Sequence, residues 1–356
     1  MDRSLGLRER IHGLLLGTAV GDSLGLPAEG ISRRRGRKLF PGPWRHRLFF
    51  GRGMVSDDTE HAIFSAQCLL ASPAPDDFAR RLAWCLRWWL VALPAGVGLA
   101  TLRSIVKLWS GIPPERSGVD SAGAGPAMRS AIIGAFHAGN DEGIRRFVAA
   151  STRLTHRDPR ALIGAQAVAS VAAWCVRENV ARRPSSRDFR GVLRAAGDHP
   201  EWNDTVDALV EACERGVSVE EFAGAIGCAR GVSGYILHVV PVALLSWYRH
   251  FGDFEATLSA VLDCGGDTDT AGSIAGALAG TVVGERGIPT RWIAGLHDWP
   301  RGAPLLAELA GRLARAAATE ERPGPVRYFW PGVLPRNLVF LLVVLAHGFR
   351  RLAPPY

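Results

Sequence analysis

Apolar residues recur three and four positions apart along most of the chain, the spacing that places them on one face of an α-helix. Alternation of apolar and polar residues, which is typical of strands, is scarce. The pattern therefore predicts an all-α fold. The predicted helices cover residues 5–24, 62–71, 78–93, 96–109, 127–138, 142–154, 161–180, 189–196, 204–212, 219–225, 235–248, 256–261 and 305–318.

Glycine recurs at every fourth position in two stretches that lie far apart in the sequence. Residues four apart share a helix face, and a face without side chains lets another backbone come close. Two such helices could pack tightly, on each other or on other neighbours. The glycines are Gly13, Gly17 and Gly21 in the first stretch and Gly272, Gly276 and Gly280 in the second.

Two short acidic stretches, Ser56-Asp57-Asp58-Thr59 and Asp267-Thr268-Asp269-Thr270, each follow a glycine-bearing loop. Acids and hydroxyl residues at a helix start are ordinary caps, so capping is the simplest interpretation of either stretch alone. Brought together, the four carboxylates would repel each other, and divalent cations, which prefer hard oxygen ligands, would relieve that repulsion. The pair of stretches therefore favours a site for two divalent ions, Mg²⁺ or Mn²⁺.

The 356 residues are 47% hydrophobic and carry a formal net charge of +8, most of it from arginine. This balance suits an anionic partner: a phosphorylated ligand, a membrane surface or a nucleic acid. Arginine-rich composition often reflects only a GC-rich genome, so the charge is a weak clue, and a nucleic acid is the least favoured of these partners. Five cations fall within residues 33–38, where we predict a solvated loop, with a phosphate-attracting rim as the alternative.

Residues 338–346 form a strongly apolar segment near the end of the chain. Nine residues, or about twelve with Gly348 and Phe349, are too few to cross a bilayer core of roughly 30 Å, so we predict no transmembrane span. A buried terminal helix is the preferred interpretation, and a membrane-surface or oligomer contact is the alternative. Trp84 and Trp88, one helical turn apart, are likewise expected in the core.

The pattern divides the chain into a main helical domain, residues 1–318, and a tether with a terminal apolar helix, residues 319–356. The six cysteines form no C-x-x-C pair and most lie in apolar helical patterns. This argues for a reducing compartment, and we expect a cytoplasmic location. Nothing in the sequence specifies an oligomeric state.

Several short motifs occur in a set order over most of residues 8–285. The anchors are Gly17-x-x-x-Gly21-Asp22-Ser23-Leu24-Gly25 with Glu29, then Ser56-Asp57-Asp58-Thr59, then Asp267-Thr268-Asp269-Thr270-Ala271-Gly272. Supporting pieces are residues 121–129, Thr155-His156 and Gly234-Tyr235. Any one of these is weak, but as an ordered set they are specific. They resemble the ADP-ribosylglycohydrolase family, of the type that activates dinitrogenase reductase.

The resemblance implies a compact, orthogonal multi-helix bundle with two Mg²⁺ or Mn²⁺ ions at the base of a cleft. By this resemblance, Asp269 would bridge the two ions. The first ion would be held by Ser56, Asp57, Asp58 and Asp269, and the second by Asp267, Asp269 and Thr270.

The resemblance also implies a hydrolase that binds ADP-ribose, or a protein or small molecule carrying it, and cleaves the bond at C1″ with water. Glu29 is the first candidate for the general base, and a metal-bound aspartate, Asp57, Asp58 or Asp269, is the second. Backbone amides of the glycine loop would cradle the diphosphate. The ligand-binding positions would be Gly123, Ala124, Gly125, Met128, His156, Gly234 and Tyr235.

Three positions depart from the family pattern. Ser56 replaces the usual threonine and keeps a hydroxyl oxygen, whereas Ala124 replaces an asparagine amide that would reach the ligand. Residues 95–98 carry no carboxylate, although nitrogenase-directed members have a catalytic aspartate there. The last two departures motivate an alternative function, an ADP-ribose-binding regulatory protein with weak or lost catalysis.

Overall fold

A computed structural model describes residues 6–178, 182–319 and 321–355. It confirms the all-α fold, with eighteen α-helices in the described residues. The helices are α1 (Leu7–Gly25), α2 (Arg33–Leu39), α3 (Asp57–Leu69), α4 (Pro75–Val91), α5 (Leu99–Trp109), α6 (Pro114–Ser117), α7 (Ala131–Phe136), α8 (Asp141–Arg153), α9 (Pro159–Arg177), α10 (Ser186–Arg194), α11 (Pro200–Arg215), α12 (Val219–Ala223), α13 (Ile236–Arg249), α14 (Phe254–Leu262), α15 (Thr268–Val283), α16 (Thr290–Gly295), α17 (Ala303–Thr319) and α18 (Val333–Arg351).

Helices α1 and α15 form the central pair of the bundle, and their glycine faces meet. A methyl group added at Gly17 would lie 2.0 Å from the carbonyl oxygen of Gly276, and one added at Gly21 would lie 2.0 Å from that of Gly272. Two backbones can approach this closely only where side chains are missing. The glycine spacing therefore predicted a real contact, and the two helices are packed on each other.

The close pairing of α1 and α15 brings the two acidic stretches together. Helix α3, which begins at Asp57, packs on both α1 and α15. The loop after α1 forms a two-residue strand, β1 (Ile31–Ser32), antiparallel to β2 (Gly265–Gly266), which precedes α15. This ladder fixes Glu29 beside the start of α15.

The basic segment 33–38 is helical, so the predicted solvated loop is wrong. Arg33 and Arg37 lie four residues apart in α2, and both guanidinium groups pair with Glu220 of α12. A helix places residues four apart on one face, so both cations can share one carboxylate. The segment is thus attached to the bundle.

Other corrections concern boundaries. Helix α5 begins at Leu99 rather than at residue 96, because Gly96 has a φ of +79°, which a right-handed helix does not accommodate. Trp84, expected in the core, has an exposed side chain. The predicted end of α9 at residue 180 lies outside the described residues.

The terminal helix α18 is largely exposed, which contradicts the predicted buried helix. With the turn before it, it forms a 22-residue helical segment, Trp330–Arg351, whose most apolar 18-residue window has a mean hydropathy of 1.6 and is only 28% buried. Its length and composition are sufficient to cross a membrane, although the uninterrupted apolar run is shorter, so the absence of a transmembrane span stays a prediction. Helix α9 passes the same test but is mostly buried inside the bundle.

Candidate active site

A cavity of about 720 Å³ opens above the N-terminal ends of α3 and α15. Its walls come from residues 29–32, the loop leading into α5, the loop 121–128 and the segment 230–234. The predicted residues among its lining are Glu29, Asp57, Asp58, Gly123, Ala124, Gly125, Met128, His156, Gly234, Asp267, Asp269 and Thr270. Positions far apart in the sequence thus meet in one place.

Asp58 ties the two acidic stretches together. Its carboxylate accepts hydrogen bonds from Ser273 (2.8 Å), Thr270 (3.3 Å) and Ser56 (3.3 Å). The hydroxyl oxygen of Ser56 in turn accepts from the backbone amide of Asp58, so Ser56 caps α3 as the simpler interpretation predicted. Ser56 itself lies behind the cavity lining and is buried.

Asp267 stands at the N-cap of α15, but its carboxylate makes no capping hydrogen bond of ordinary geometry. Burial raises its pKa. Burial, with Glu29 and Asp267 nearby, raises the pKa of Asp269 well above its usual range. One oxygen of Asp269, Oδ1, is buried without a hydrogen-bond partner. Capping therefore does not account for Asp269, whose Oδ1 has no partner.

The pKa values of Asp57 and Asp58 are also raised well above their usual range, by burial and by neighbouring carboxylates. Such a group of acids is poorly stabilised as anions without a cation. Hard carboxylate and hydroxyl oxygens, one of them unpartnered, fit Mg²⁺ or Mn²⁺. Within the described part of the chain, however, no three His, Cys, Asp or Glu side chains are grouped closely enough to form a metal cage as they stand. The metal-binding roles of the two acidic stretches therefore remain predictions.

Glu29 lies at the mouth of the cavity, directly after a 3₁₀ turn (Leu26–Ala28). The Glu29 carboxyl is closely surrounded by protein atoms, although the residue is exposed to the cavity. This crowding, and the charge of Asp267, raise the pKa of Glu29, while Arg351 acts in the opposite direction. A carboxylate with a raised pKa is a stronger base, which suits the role predicted for Glu29.

Asp22 is a structural residue of the site whose role was missed in the sequence. It is fully buried and accepts hydrogen bonds from the backbone amides of Ser56 (2.9 Å) and Thr59 (3.1 Å) and from the Thr59 hydroxyl. Burial raises the pKa of Asp22 to about 7 despite these donors. Asp22 thus holds the turn that presents Asp57 and Asp58. The only feature of the sequence that could have indicated this role was the Gly21-Asp22 pair.

The glycine loop is held in place by backbone pairing. Gly123 pairs with Tyr235, and the Ala124 amide donates to the carbonyl of Gly234 (3.0 Å). The Gly123 amide donates to the hydroxyl of Ser121 (3.3 Å). Two of the three amides predicted to cradle a diphosphate are therefore already engaged.

Buried Arg129, not singled out in the sequence, supports this loop from below. Its guanidinium donates to the Gly125 carbonyl (3.0 Å) and to the Thr155 hydroxyl (2.7 Å). That hydroxyl also contacts Nδ1 of His156 at 2.9 Å. Burial and the charge of Arg129 lower the pKa of His156 to about 3, so its ring is neutral in the cavity.

Tyr235 does not line the cavity. Its hydroxyl donates to Glu201 (2.7 Å) and lies 3.4 Å from a donor nitrogen of Arg160. Its backbone, rather than its ring, supports the ligand loop. Arg230 and Ser233 line the cavity wall nearby but were not predicted, because neither belongs to a recognisable motif.

Comparison with known proteins identifies the family of this chain. The family model of the ADP-ribosylglycohydrolases matches residues 3–323, and the chain belongs to this family. An uncharacterized protein of Archaeoglobus fulgidus is 32% identical, covering 86% of this chain and 96% of that protein. The ADP-ribosyl-[dinitrogen reductase] glycohydrolase of Rhodospirillum rubrum is 27% identical, covering 86% and 98%, and the ADP-ribosylhydrolase ARH3 of Gallus gallus is 27% identical, covering 80% and 88%.

A solved structure described as an ADP-ribosylglycohydrolase-related protein complex superposes with a TM-score of 0.64 at 25% identity. It covers 87% of this chain and 99% of that chain. The family match ends before α18, so the terminal helix lies outside the shared part.

Proposed function

We propose that this protein is a metal-dependent hydrolase that cleaves the C1″ glycosidic bond between ADP-ribose and a protein side chain or small acceptor. The observation that carries the proposal is the meeting of Glu29 with the two acidic stretches in one cavity. At about 720 Å³, that cavity falls within the usual size of small-molecule sites. Family membership supports the reaction class.

The residues that would hold divalent ions are Ser56, Asp57, Asp58, Asp267, Asp269 and Thr270. When bound, such ions polarise ligand oxygens and neutralise the carboxylates. The protein's own carboxylates would stabilise the oxocarbenium-like charge that develops as the glycosidic bond breaks. Glu29, at the cavity mouth, would accept the proton of the attacking water.

The opposite wall would bind the rest of the ligand. The neutral ring of His156 can donate or accept a hydrogen bond there, and exposed Arg230 supplies a positive charge for a diphosphate. We also propose a cytoplasmic location, because all six cysteines are free thiols.

The test is to incubate the protein with ADP-ribosyl-arginine, ADP-ribosyl-serine and O-acetyl-ADP-ribose, each with Mg²⁺ or Mn²⁺, and to measure released ADP-ribose by mass spectrometry. We expect release from at least one substrate, lost in Glu29→Gln. No release from any of the three by a protein that binds metal would contradict the proposal.

A second candidate is an ADP-ribose-binding regulatory protein. It is favoured by Ala124, which lacks a side-chain amide and whose backbone amide is already bonded to Gly234. Calorimetry with ADP-ribose distinguishes the two candidates. Tight binding without turnover, not restored in Ala124→Asn, would support the regulatory role.

A further inference from the structure

Helix α18 presents an apolar face to the surface, unlike a surface helix of a soluble bundle. The side chains that point outward are Leu334, Leu338, Val339, Leu342, Leu345 and Phe349, with Leu342 67% and Phe349 70% exposed. A helix on a water-facing surface ordinarily presents polar residues there. This face is therefore built for contact with something apolar.

Two polar residues of α18, Arg336 and Asn337, point inward beside buried Val333 and Phe340 and anchor the helix to the body. Arg336 pairs with Asp298 and donates to the carbonyl of Val55 (2.6 Å), and Asn337 donates to the carbonyl of Ala92 (2.7 Å). A buried ion pair with satisfied hydrogen bonds holds one geometry, because breaking it would leave an unpaired buried charge.

The far end of the helix is anchored as well, by Arg351, which donates to the carbonyls of Pro27 (2.6 Å) and Glu29 (2.8 Å). From Arg336 to Arg351 a helix rises about 22 Å. Attached at both ends, α18 lies flat along the body, so its apolar face forms a strip on the surface.

Aromatic side chains extend this strip at its N-terminal end. Trp330 lies in the 3₁₀ turn before α18, and the ring of Trp299, which is 60% exposed, lies tilted at 5.6 Å from that of Phe329. Trp88 lies 6.4 Å from Trp330 and connects it to exposed Trp84 at 5.6 Å. Tryptophan, with an apolar ring and one N–H donor, is the residue enriched where a bilayer meets water.

The C-terminal end of α18 borders a cavity of about 340 Å³ lined by four arginines, Arg45, Arg47, Arg350 and Arg351. No carboxylate stands among its described lining residues. The Nε–H groups of Arg47 and Arg351 are buried without a hydrogen-bond partner. Some N–H groups of Arg47, Arg350 and Arg351 are bonded to backbone carbonyls, but the four positive charges without a carboxylate suit a phosphate group.

We propose that the outward face of α18 docks this protein on an anionic phospholipid bilayer, with the helix in the plane of the surface and lipid phosphates in the arginine cavity. The combination of apolar strip, tryptophans and arginines matches an in-plane membrane helix. A second copy of this chain is the alternative occupant of the strip, and the oligomeric state in solution distinguishes it.

The full chain is tested by flotation with vesicles of phosphatidylcholine alone or mixed with phosphatidylglycerol. We expect flotation with the anionic vesicles at least about tenfold above that with the neutral ones, weakened by salt. Leu342→Glu should abolish it, and Arg45→Gln with Arg350→Gln should reduce it. The matched controls are Ala208→Glu on α11 and Arg187→Gln on α10, both exposed and on helices that pack away from α18.

Three results would overturn the proposal. Equal binding to neutral vesicles would exclude the role of the arginine cavity. A dimer in light scattering, without vesicle binding, would assign the strip to a second copy. Retention after alkaline carbonate washing would indicate a helix that spans the bilayer. Circular dichroism checks that each variant is folded, and Phe349→Glu replaces Leu342→Glu if the latter unfolds.

Discussion

Arg351, at the end of the terminal helix, donates a hydrogen bond of 2.8 Å to the backbone carbonyl of Glu29, at the mouth of the candidate active site. It also donates to the carbonyls of Pro27 and Leu26 in the same turn. These bonds fix the loop that presents Glu29. The part of the chain outside the family match therefore supports a residue inside it.

We predict that Arg351→Gln lowers kcat for ADP-ribose release about tenfold, equivalent to roughly 1.4 kcal/mol of activation free energy. The positive charge of Arg351 lowers the pKa of Glu29, so its removal lets that pKa rise. A general base acts only when deprotonated, and the acid limb of the pH–rate profile should move to higher pH. Arg34→Gln, exposed on α2, is the control. An unchanged kcat and profile would exclude this positioning role.

The metal proposal is tested by thermal unfolding with and without Mn²⁺. A ligand at one hundred times its dissociation constant stabilises a protein by about 2.7 kcal/mol. We predict that Asp57→Asn and Asp269→Asn abolish the metal-dependent rise in Tm. Without metal both variants should melt higher than the parent, because burial and neighbouring carboxylates disfavour these charges.

Asp120→Asn is the matched control for the metal experiment. Asp120 is exposed, lies beside the glycine loop and does not line the cavity. Its replacement should leave the metal-dependent rise in Tm intact. If Asp57→Asn also kept that rise, the assignment of the first metal position would be wrong.

The sequence predicted those parts of the fold that depend on a regular spacing of residues. Glycine at every fourth position indicated the α1–α15 contact, because only a side-chain-free face permits it. The acidic stretches indicated the site, because like charges need a common cation. Asp22 was missed because its role is to accept backbone hydrogen bonds from residues 34 and 37 positions away. No local pattern records such a contact.

The exposure of α18 could not be predicted for a different reason. Hydropathy identifies an apolar helix face, but it does not show whether protein or lipid covers that face. The decisive observation is that Arg336 and Asn337 are buried while Leu342 is exposed, and only the structure shows it. The same applies to Tyr235, whose ring is drawn away from the cavity by Glu201.

A pH dependence of stability is expected from His137, which packs against Phe147 at 4.4 Å between ring centroids. Burial lowers the pKa of His137 to about 4. Between that value and the unfolded value of about 6.5, the unfolded chain binds a proton that the folded chain does not. The neutral ring therefore leaves the free energy of unfolding at its full value above pH 6.5, and that free energy decreases as the pH falls toward 4.

We predict that His137→Phe flattens the pH dependence of the free energy of unfolding in this window by up to about 1.4 kcal/mol per pH unit. Urea unfolding at several pH values from 4 to 7 measures the slope. His199→Phe, at the start of α11, is the comparison. Equal slopes in the parent and in His137→Phe would contradict a neutral buried ring.

The contact between α1 and α15 makes the sharpest stability prediction. In Gly17→Ala the new methyl group would lie 2.0 Å from the Gly276 carbonyl oxygen, so the central helices must separate. We expect the free energy of unfolding to fall by about 1–3 kcal/mol, the usual cost of overpacking, or by more because a backbone has to move.

Gly191→Ala in α10 is the matched control, since a methyl group there meets nothing within 4 Å. It should stabilise the protein by up to about 1 kcal/mol through helix propensity. Urea unfolding compares the two variants, and a Gly17→Ala variant as stable as Gly191→Ala would show that the central pair tolerates wider spacing.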